Sequence, residues 1–270
     1  MIKINNVEFA NETFSNKEVI YKKVGLNKSE NEIKMVFESN KDIADLMFVV
    51  EYVRSVYPNA TINLFMPYIP YSRMDREIND QIFSLKMFAN IINSMKFDNV
   101  TVYDPHSKVS NELINNLNVH SVEYAIQAMA YAYNIDVIMF PDKGARSKYT
   151  SMYKNLCSKY PVIYAEKVRD LNNKGKLLES KLINENNIDL TGKKVLIVDD
   201  ICVYGNTFKF ASMALREAGA SEVYLWVTHC ENAVNDGPLL QEGHIDWIVT
   251  TDSIIRNVKT DKISTVDVKV

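Results

Sequence analysis

Several features that would assign this chain to a common class of protein are missing or scarce. No apolar run approaches the roughly 20 residues of a membrane-spanning helix, and the opening residues lack the apolar core of a signal peptide. The formal net charge is −3, so no basic excess favours nucleic acid. The cysteines are odd in number and lack metal-ligand spacing: Cys157, Cys202 and Cys230. We expect a cytoplasmic protein that binds neither membranes nor nucleic acid.

Glycine is scarce and unevenly distributed. The chain has eight glycines, and only Gly25 precedes position 144. A phosphate loop that depends on glycine must therefore lie in the second half. The length of 270 residues and the hydrophobic content of 47% suffice for two ordinary domains. Alternating strand and helix patterns predict two α/β domains, residues 1–125 and 126–270.

The most informative stretch is KKVLIVDDICVYGNTF, residues 193–208. Its branched apolar run predicts a buried central strand, followed by Asp199 and Asp200, a loop with Gly205, and a helix from Thr207. Ligands of parallel sheets bind at the carboxyl ends of strands, and free N–H groups at a helix start suit an anion. The pattern predicts acids that bind sugar hydroxyls or a metal beside a phosphate loop. The alternative is a strand that ends in solvated acids.

Charged or titratable residues follow two strands of the first half. Arg73, Asp75 and Arg76 come after TINLFMPYI, and His106 comes after NVTVY. Arginine forks suit phosphate oxygens, and a neighbouring carboxylate orients them. The alternatives are a solvated charge run and a histidine that only packs.

Two further groups of residues come from the second half. Asp142 follows the strand IDVIMF, and Lys167 and Arg169 alternate on one side of an extended segment. Phosphoryl transfer needs cations where charge develops on the transferred group. A basic, exposed hairpin tip is an equally good interpretation of the second group.

Five segments, RMDRE, DPHS, PDKGAR, EKVR and VDDICVYGNT, resemble motifs of the ribose-phosphate diphosphokinases in the same order. The last also resembles the sugar-phosphate loop of type I phosphoribosyltransferases. The resemblance implies two phosphoribosyltransferase-like domains, each a mostly parallel, doubly wound sheet flanked by helices. It implies transfer of diphosphate from ATP, with Mg²⁺, to the anomeric hydroxyl of ribose 5-phosphate, releasing AMP. Magnesium suits oxygen ligands and ATP phosphates.

The resemblance also implies a role for each matching residue. The segment TFSNKE resembles one that reaches a neighbouring subunit's adenine, which implies a homo-oligomer. The implied ATP-binding residues are Arg73, Asp75, Arg76, Phe14, Asn16 and Glu18. The implied metal ligands are His106 and Asp142, and the implied catalytic cations are Lys167 and Arg169. The residues implied to bind ribose and phosphate are Asp199, Asp200, Val203, Tyr204, Gly205, Asn206 and Thr207.

This sequence departs from the family pattern at several positions. Met74 replaces a glutamine, the Pro-Asp-x-Gly-Gly-x-x-Arg run has Arg146 two residues early, and the family's first strand has no counterpart. The loop after the two acids lacks the usual aspartate and a threonine, and Tyr204 has entered it. An aromatic ring stacks on a base, so ADP-ribose is a rival acceptor, which would place the protein in NAD metabolism instead of nucleotide biosynthesis. A phosphoribosyltransferase and a non-catalytic regulatory relative are the remaining hypotheses.

Overall fold

The structure is a computed structural model that describes residues 1–9, 11–170, 176–241 and 243–268. The chain forms two compact units within these ranges, residues 1–120 and 121–268. Each unit has its own main β-sheet and its own hydrophobic core. No helix among the described residues is both long enough and apolar enough to cross a membrane.

The first unit is built on a six-stranded sheet with the order β2-β1-β5-β6-β7-β8, and β3 and β4 form a separate hairpin. Strands β5 to β8 are parallel, whereas β1 and β2 run antiparallel at one side. The strands are β1 (Ile2–Ile4), β2 (Val7–Glu8), β3 (Asn11–Thr13), β4 (Val19–Tyr21), β5 (Glu30–Met35), β6 (Thr61–Phe65), β7 (Asn99–Tyr103) and β8 (Leu117–His120).

Strand β1 was missed by sequence reasoning, which found no opening strand in the first domain. It pairs antiparallel with β5, and both Ile2 and Ile4 are buried in the core. Asn5 and Asn6, both with positive φ, then turn the chain into β2. The chain therefore begins with a short strand that runs opposite to the parallel strands beside it.

The helices of the first unit are α1 (Lys41–Val56), α2 (Ser84–Ser94) and α3 (Val109–Leu113). Helix α1 buries Leu46, Val50 and Val53 at helical spacing. Asn40 has the residue type expected of a helix cap, but its side chain accepts the Tyr71 hydroxyl instead. The Asp42 carboxylate instead orders the segment before the helix, because it accepts the backbone N–H groups of residues 38 and 39 at 2.8 Å.

The second unit has a seven-stranded sheet with the order β11-β10-β9-β12-β13-β14-β15. All its strands are parallel except β11, which pairs antiparallel with β10. The strands are β9 (Val137–Phe140), β10 (Val162–Asp170), β11 (Lys176–Ile183), β12 (Lys194–Cys202), β13 (Glu222–Cys230), β14 (Trp247–Thr251) and β15 (Ile263–Val266).

The strand order of this sheet reverses at β9, which has β10 on one side and β12 on the other. A doubly wound sheet binds its ligands at the carboxyl ends of the strands next to such a reversal. Strand β9 ends just before Asp142, and β12 ends with the segment that contains Asp199 and Asp200. The predicted α/β fold, mostly parallel and flanked by helices, is confirmed.

The helices of the second unit are α4 (Glu123–Ala132), α5 (Lys143–Met152), α6 (Lys154–Lys159) and α7 (Asn206–Glu217), with short 3₁₀ helices at Asn232–Asp236 and Pro238–Leu240. Helix α7 buries Phe208, Ala211 and Leu215 at helical spacing. It ends before Gly219, whose φ of +96° favours glycine. This helix starts directly after the predicted phosphate loop.

Candidate active site

The two adjacent acids lie at the carboxyl end of β12, where the sequence predicts them. The backbone N–H of Asp200 donates to the Asp199 carboxylate at 3.0 Å. Burial, followed by the charges of Asp200 and Asp142, raises the pKa of Asp199 well above its ordinary value. Two carboxylates so close resist ionising together, so this pair favours ligands that form hydrogen bonds with it over ligands that carry negative charge.

A lysine that sequence reasoning did not select approaches the same pair. Lys148 extends from α5, and its Nζ lies 3.8 Å from the Asp200 carboxylate, with both side chains almost buried. Its position could have been found, because it is the eighth residue of PDKGARSK, where the family pattern has arginine. The site therefore keeps a cation at that position.

Arg146, the arginine that seemed misplaced in that run, is used elsewhere. Its guanidinium forms a two-point ion pair with Glu185, at 3.1 and 2.7 Å, and lies over the ring of Tyr164. This geometry is typical of a structural arginine that joins two elements. We therefore place Lys148, and not Arg146, among the site residues.

Asp142 and Lys167, predicted as a metal ligand and a catalytic cation, form an ion pair of 2.6 Å. The second carboxylate oxygen of Asp142 accepts the backbone N–H of Ala145 at 2.8 Å and caps α5. Burial opposes ionisation of this group, but the hydrogen bond and charge of Lys167 outweigh it, with help from the cap. The pKa of Asp142 is consequently lowered.

Lys167 lies on β10, which continues into an antiparallel hairpin with β11. The register shifts between Val168 and Arg169, as at a β-bulge. The predicted catalytic side chain of Arg169 lies outside the described part of the structure, as do residues 171–175. The catalytic role of Lys167 and the exposed-tip alternative therefore both stay predictions.

The predicted phosphate loop connects β12 to α7. Gly205 has φ of +81° and occupies the cap position before the helix, so no side chain caps the first N–H groups of α7. Within the described residues, the backbone N–H groups of residues 204–207 donate to no protein acceptor. The loop therefore presents several donors at the positive end of a helix dipole, as an anion site requires. The side chain of Tyr204 is 53% exposed.

Three of the predicted ATP-binding residues and the predicted metal-binding histidine lie in two loops, each of which follows a strand of the first sheet. Arg73, Asp75 and Arg76 follow β6, and His106 follows β7. Strands β6 and β7 are parallel neighbours, and the N–H of Tyr103 donates to the carbonyl of Pro67 between the loop starts. Within the loop, Arg76 Nε lies 3.5 Å from the Asp75 carboxylate.

Phe14, Asn16 and Glu18 form the tip of the hairpin between β3 and β4. The Asn16 side chain accepts the N–H of Glu18 at 3.1 Å, and Lys17 adopts a positive φ of 72°. The ring of Phe14 is 55% exposed. The adenine role that the resemblance implies for this tip stays a prediction, as does the homo-oligomer.

The described side chains offer few ligands for a metal ion. Among the described residues, no group of three or more histidine, cysteine or carboxylate side chains could hold an ion. His106 belongs to the first unit and Asp142 to the second. Asp142 still offers a hard oxygen ligand of the kind Mg²⁺ prefers, and Mg²⁺ in phosphate sites commonly has only one or two protein carboxylates. The donor set fits an ion held mainly by substrate phosphates.

The known proteins that this chain resembles have related descriptions. Residues 179–270 match the family described as the phosphoribosyl synthetase-associated domain. A ribose-phosphate pyrophosphokinase of Sulfolobus acidocaldarius is 29% identical over 85% of this chain, and ribose-phosphate pyrophosphokinase 1 of Listeria monocytogenes is 27% identical over 80%. This chain spans 77% and 66% of their respective lengths.

A solved structure supports the same fold. Phosphoribosylpyrophosphate synthetase from Mycobacterium smegmatis matches with a TM-score of 0.76 over 96% of this chain and 85% of that one. The sequence identity is 16%, so this likeness concerns the fold alone.

Proposed function

The chain belongs to the ribose-phosphate pyrophosphokinase family, and we propose that it transfers diphosphate from ATP to the anomeric hydroxyl of a ribose 5-phosphate-type acceptor. The attacking oxygen forms a bond to the β-phosphorus of ATP, the bond from that phosphorus to the α-phosphate oxygen breaks, and AMP leaves. The observation that carries the proposal is the end of β12, where two adjacent acids precede a loop of unengaged N–H groups. Sugar hydroxyls and a phosphate need these two kinds of group side by side.

The acceptor site is assigned to the second unit. Asp199 and Asp200 accept hydrogen bonds from the ribose hydroxyls, and the Lys148 ammonium group lies beside the Asp200 carboxylate. The backbone of residues 203–207 donates to the phosphate at the start of α7. Because the acids precede the loop along one strand, they would bind the sugar ring while the loop binds its 5′-substituent.

The nucleotide is assigned to the first unit, where Arg73 and Arg76 contact phosphate oxygens and Asp75 orients them. Magnesium would be bound by the ATP phosphates together with His106 or Asp142, and it supplies neutralisation of charge on those phosphates.

Lys167 is the proposed catalytic cation. In this structure it binds the Asp142 carboxylate, with its side chain 21% exposed. We expect it to exchange that partner for the transferring diphosphate, whose oxygens gain charge as the bond to AMP breaks. Asp142 thus holds the lysine ammonium group near the end of β9 until substrate binds.

ADP-ribose is the second candidate acceptor, and the exposure of Tyr204 favours it. This ring is 53% exposed on the loop that should bind the 5′-substituent. An exposed aromatic side chain on a phosphate loop has nothing to stack on when the substituent is phosphate, whereas ADP-ribose supplies an adenine.

The deciding experiment measures AMP release from ATP and MgCl₂ by the purified chain, with ribose 5-phosphate and ADP-ribose in parallel and the product identified by mass. Turnover of ribose 5-phosphate alone supports the first acceptor and leaves Tyr204 without a substrate role. Turnover of ADP-ribose alone supports the second. If the chain releases no AMP with either acceptor, the proposed reaction is wrong.

A further inference from the structure

Gly237 lies against the backbone of the predicted phosphate loop. A Cβ atom placed on Gly237 would overlap the carbonyl oxygen of Tyr204 and lie 2.7 Å from its carbonyl carbon. The backbone angles of Gly237 are φ −89° and ψ 164°, which any residue adopts. Glycine is therefore needed here for the close approach of two chain segments and not for its own conformation.

The same segment contacts the loop at two other points. The N–H of Glu231 donates to the carbonyl of Cys202 at 2.8 Å. Leu239 is fully buried, and a Cβ on Gly205 would lie 2.5 Å from the Leu239 Cβ. The segment 231–239 thus contacts the loop before, at and after Tyr204.

These contacts fix the backbone at Tyr204 while leaving its ring exposed. Gly205 is itself held at φ of +81° between Tyr204 and the start of α7. A turn with a positive φ and close packing on one side has few alternative positions. The direction of the Tyr204 side chain and of the loop N–H groups is then set by the segment 231–239.

We propose that Gly237 is a positioning residue for the acceptor site and acts through the Tyr204 backbone. The inference rests on the proposed function, since it assigns the loop to the acceptor. Its chemistry is steric: any side chain at 237 pushes the turn 203–205 away from the segment and displaces the groups that bind the acceptor's 5′-substituent.

The test compares Gly237→Ala with the unchanged chain in the AMP-release assay, varying ATP and each acceptor separately. Displacement of a binding group by about 1 Å costs up to roughly 100-fold, so we expect the acceptor KM to rise at least about 10-fold. The ATP KM should stay unchanged, because the ATP-binding candidates belong to the first unit and the segment belongs to the second. Gly25→Ala is the matched control, since nothing lies within 4 Å of that Cβ position.

A double-mutant cycle separates positioning from a general structural role. If Gly237 acts through Tyr204, then Tyr204→Ala should change the acceptor KM in the unchanged chain and have little further effect in Gly237→Ala. Additive effects would contradict the proposal, as would a folded Gly237→Ala variant with an unaltered acceptor KM.

Pro238→Gly keeps the test decisive if Gly237→Ala does not fold. Pro238 stands at the start of the second 3₁₀ helix, so glycine loosens the segment without adding an atom. A rise in acceptor KM alone supports the proposal, and no change in any kinetic constant overturns it. If the unchanged chain releases no AMP with either acceptor, the proposed function itself is contradicted. This outcome is distinct from a variant whose acceptor KM rises and from a variant whose kinetic constants do not change.

Discussion

Lys148 is the residue on which the charge balance of the acceptor site depends. It is the cation beside Asp200, and its charge also opposes the raised pKa of Asp199. Removing one partner of a nearly buried ion pair leaves the other charge uncompensated. The effect should appear in both stability and acceptor binding.

We predict that Lys148→Met destabilises the second unit by about 3 kcal/mol, the low end for a broken buried pair because the atoms are 3.8 Å apart. The acceptor kcat/KM should fall roughly 100-fold with an unchanged ATP KM, since a misplaced hydrogen-bonding group costs that much. Lys148→Arg should restore most of both losses. An exposed lysine, Lys154→Met, serves as the control, and equal losses in that variant would contradict the assignment.

Asp199 gives a prediction about pH. Its pKa is raised in the folded chain by burial and by Asp200, so the ionised form destabilises the fold. Its contribution is therefore fully present below the ordinary aspartate pKa of about 4 and is lost as pH rises through the folded pKa.

Asp199→Asn should consequently raise the melting temperature at pH 8 and have little effect near pH 4. Each unit of pKa shift corresponds to about 1.4 kcal/mol, or a few degrees in a chain of this size. Thermal unfolding of both proteins from pH 4 to 8 measures the difference. A difference that does not grow with pH would show that Asp199 ionises without penalty.

Some residues of the candidate site could be predicted from the sequence and others could not. Asp199 and Asp200 were found because acids directly after an apolar strand are visible in one short stretch. Lys148 was missed because its partner lies about fifty residues away, at the end of a different strand. The Gly237 contact has no sequence signal, since it depends on two loops that meet only in the fold.

At the scale of elements, the start of α5 combines two roles in one side chain. Asp142 caps the helix through Ala145 and binds Lys167 through its other oxygen. Asparagine retains a carbonyl oxygen for the cap but loses the charge that binds a lysine or a metal ion.

We predict that Asp142→Asn loses the ion pair with Lys167 but keeps the cap, whereas Asp142→Ala loses both and is about 1 kcal/mol less stable than Asp142→Asn in thermal unfolding. If Asp142 also ligates magnesium, the MgCl₂ concentration for half-maximal AMP release should rise in both variants. An unchanged magnesium requirement in Asp142→Asn would restrict this residue to the cap and the Lys167 pair.

The hairpin of β10 and β11 provides the second prediction at this scale. Lys167→Ala should lower kcat for AMP release roughly 100- to 1,000-fold, because it removes a cation that stabilises the transferring group. Lys181 is exposed on β11 of the same hairpin, so Lys181→Ala is the matched control. If Lys167→Ala kept its kcat, the catalytic role of this hairpin would be wrong.

Elements with strong periodicity were predictable, and those that depend on distant partners were not. Helix α7 has an apolar face with a glycine stop, and both are visible locally. Strand β1 has only three residues and forms by pairing with β5, about thirty residues away. Asn40 makes no cap for α1 because its side chain accepts the Tyr71 hydroxyl, from a residue about thirty positions away.

At the scale of the whole molecule, the candidate residues divide by unit. The implied ATP-binding residues all lie in residues 1–120, and the implied acceptor-binding residues all lie in residues 121–268. The sequence predicts this division, because the motifs occur in chain order along two α/β patterns. The position of the boundary was less well defined, since α4 begins only three residues after it.

This division predicts separable kinetic effects. Arg76→Ala in the first unit should raise the ATP KM about 10-fold, as expected for the loss of one charge-assisted phosphate contact, and leave the acceptor KM unchanged. Lys148→Met in the second unit should do the reverse. Lys86→Ala, which removes an exposed cation of α2, is the control for a general change of charge in the first unit. If Arg76→Ala raised the acceptor KM as strongly as the ATP KM, the assignment of one substrate to each unit would fail, because a residue of the first unit would then help to bind both.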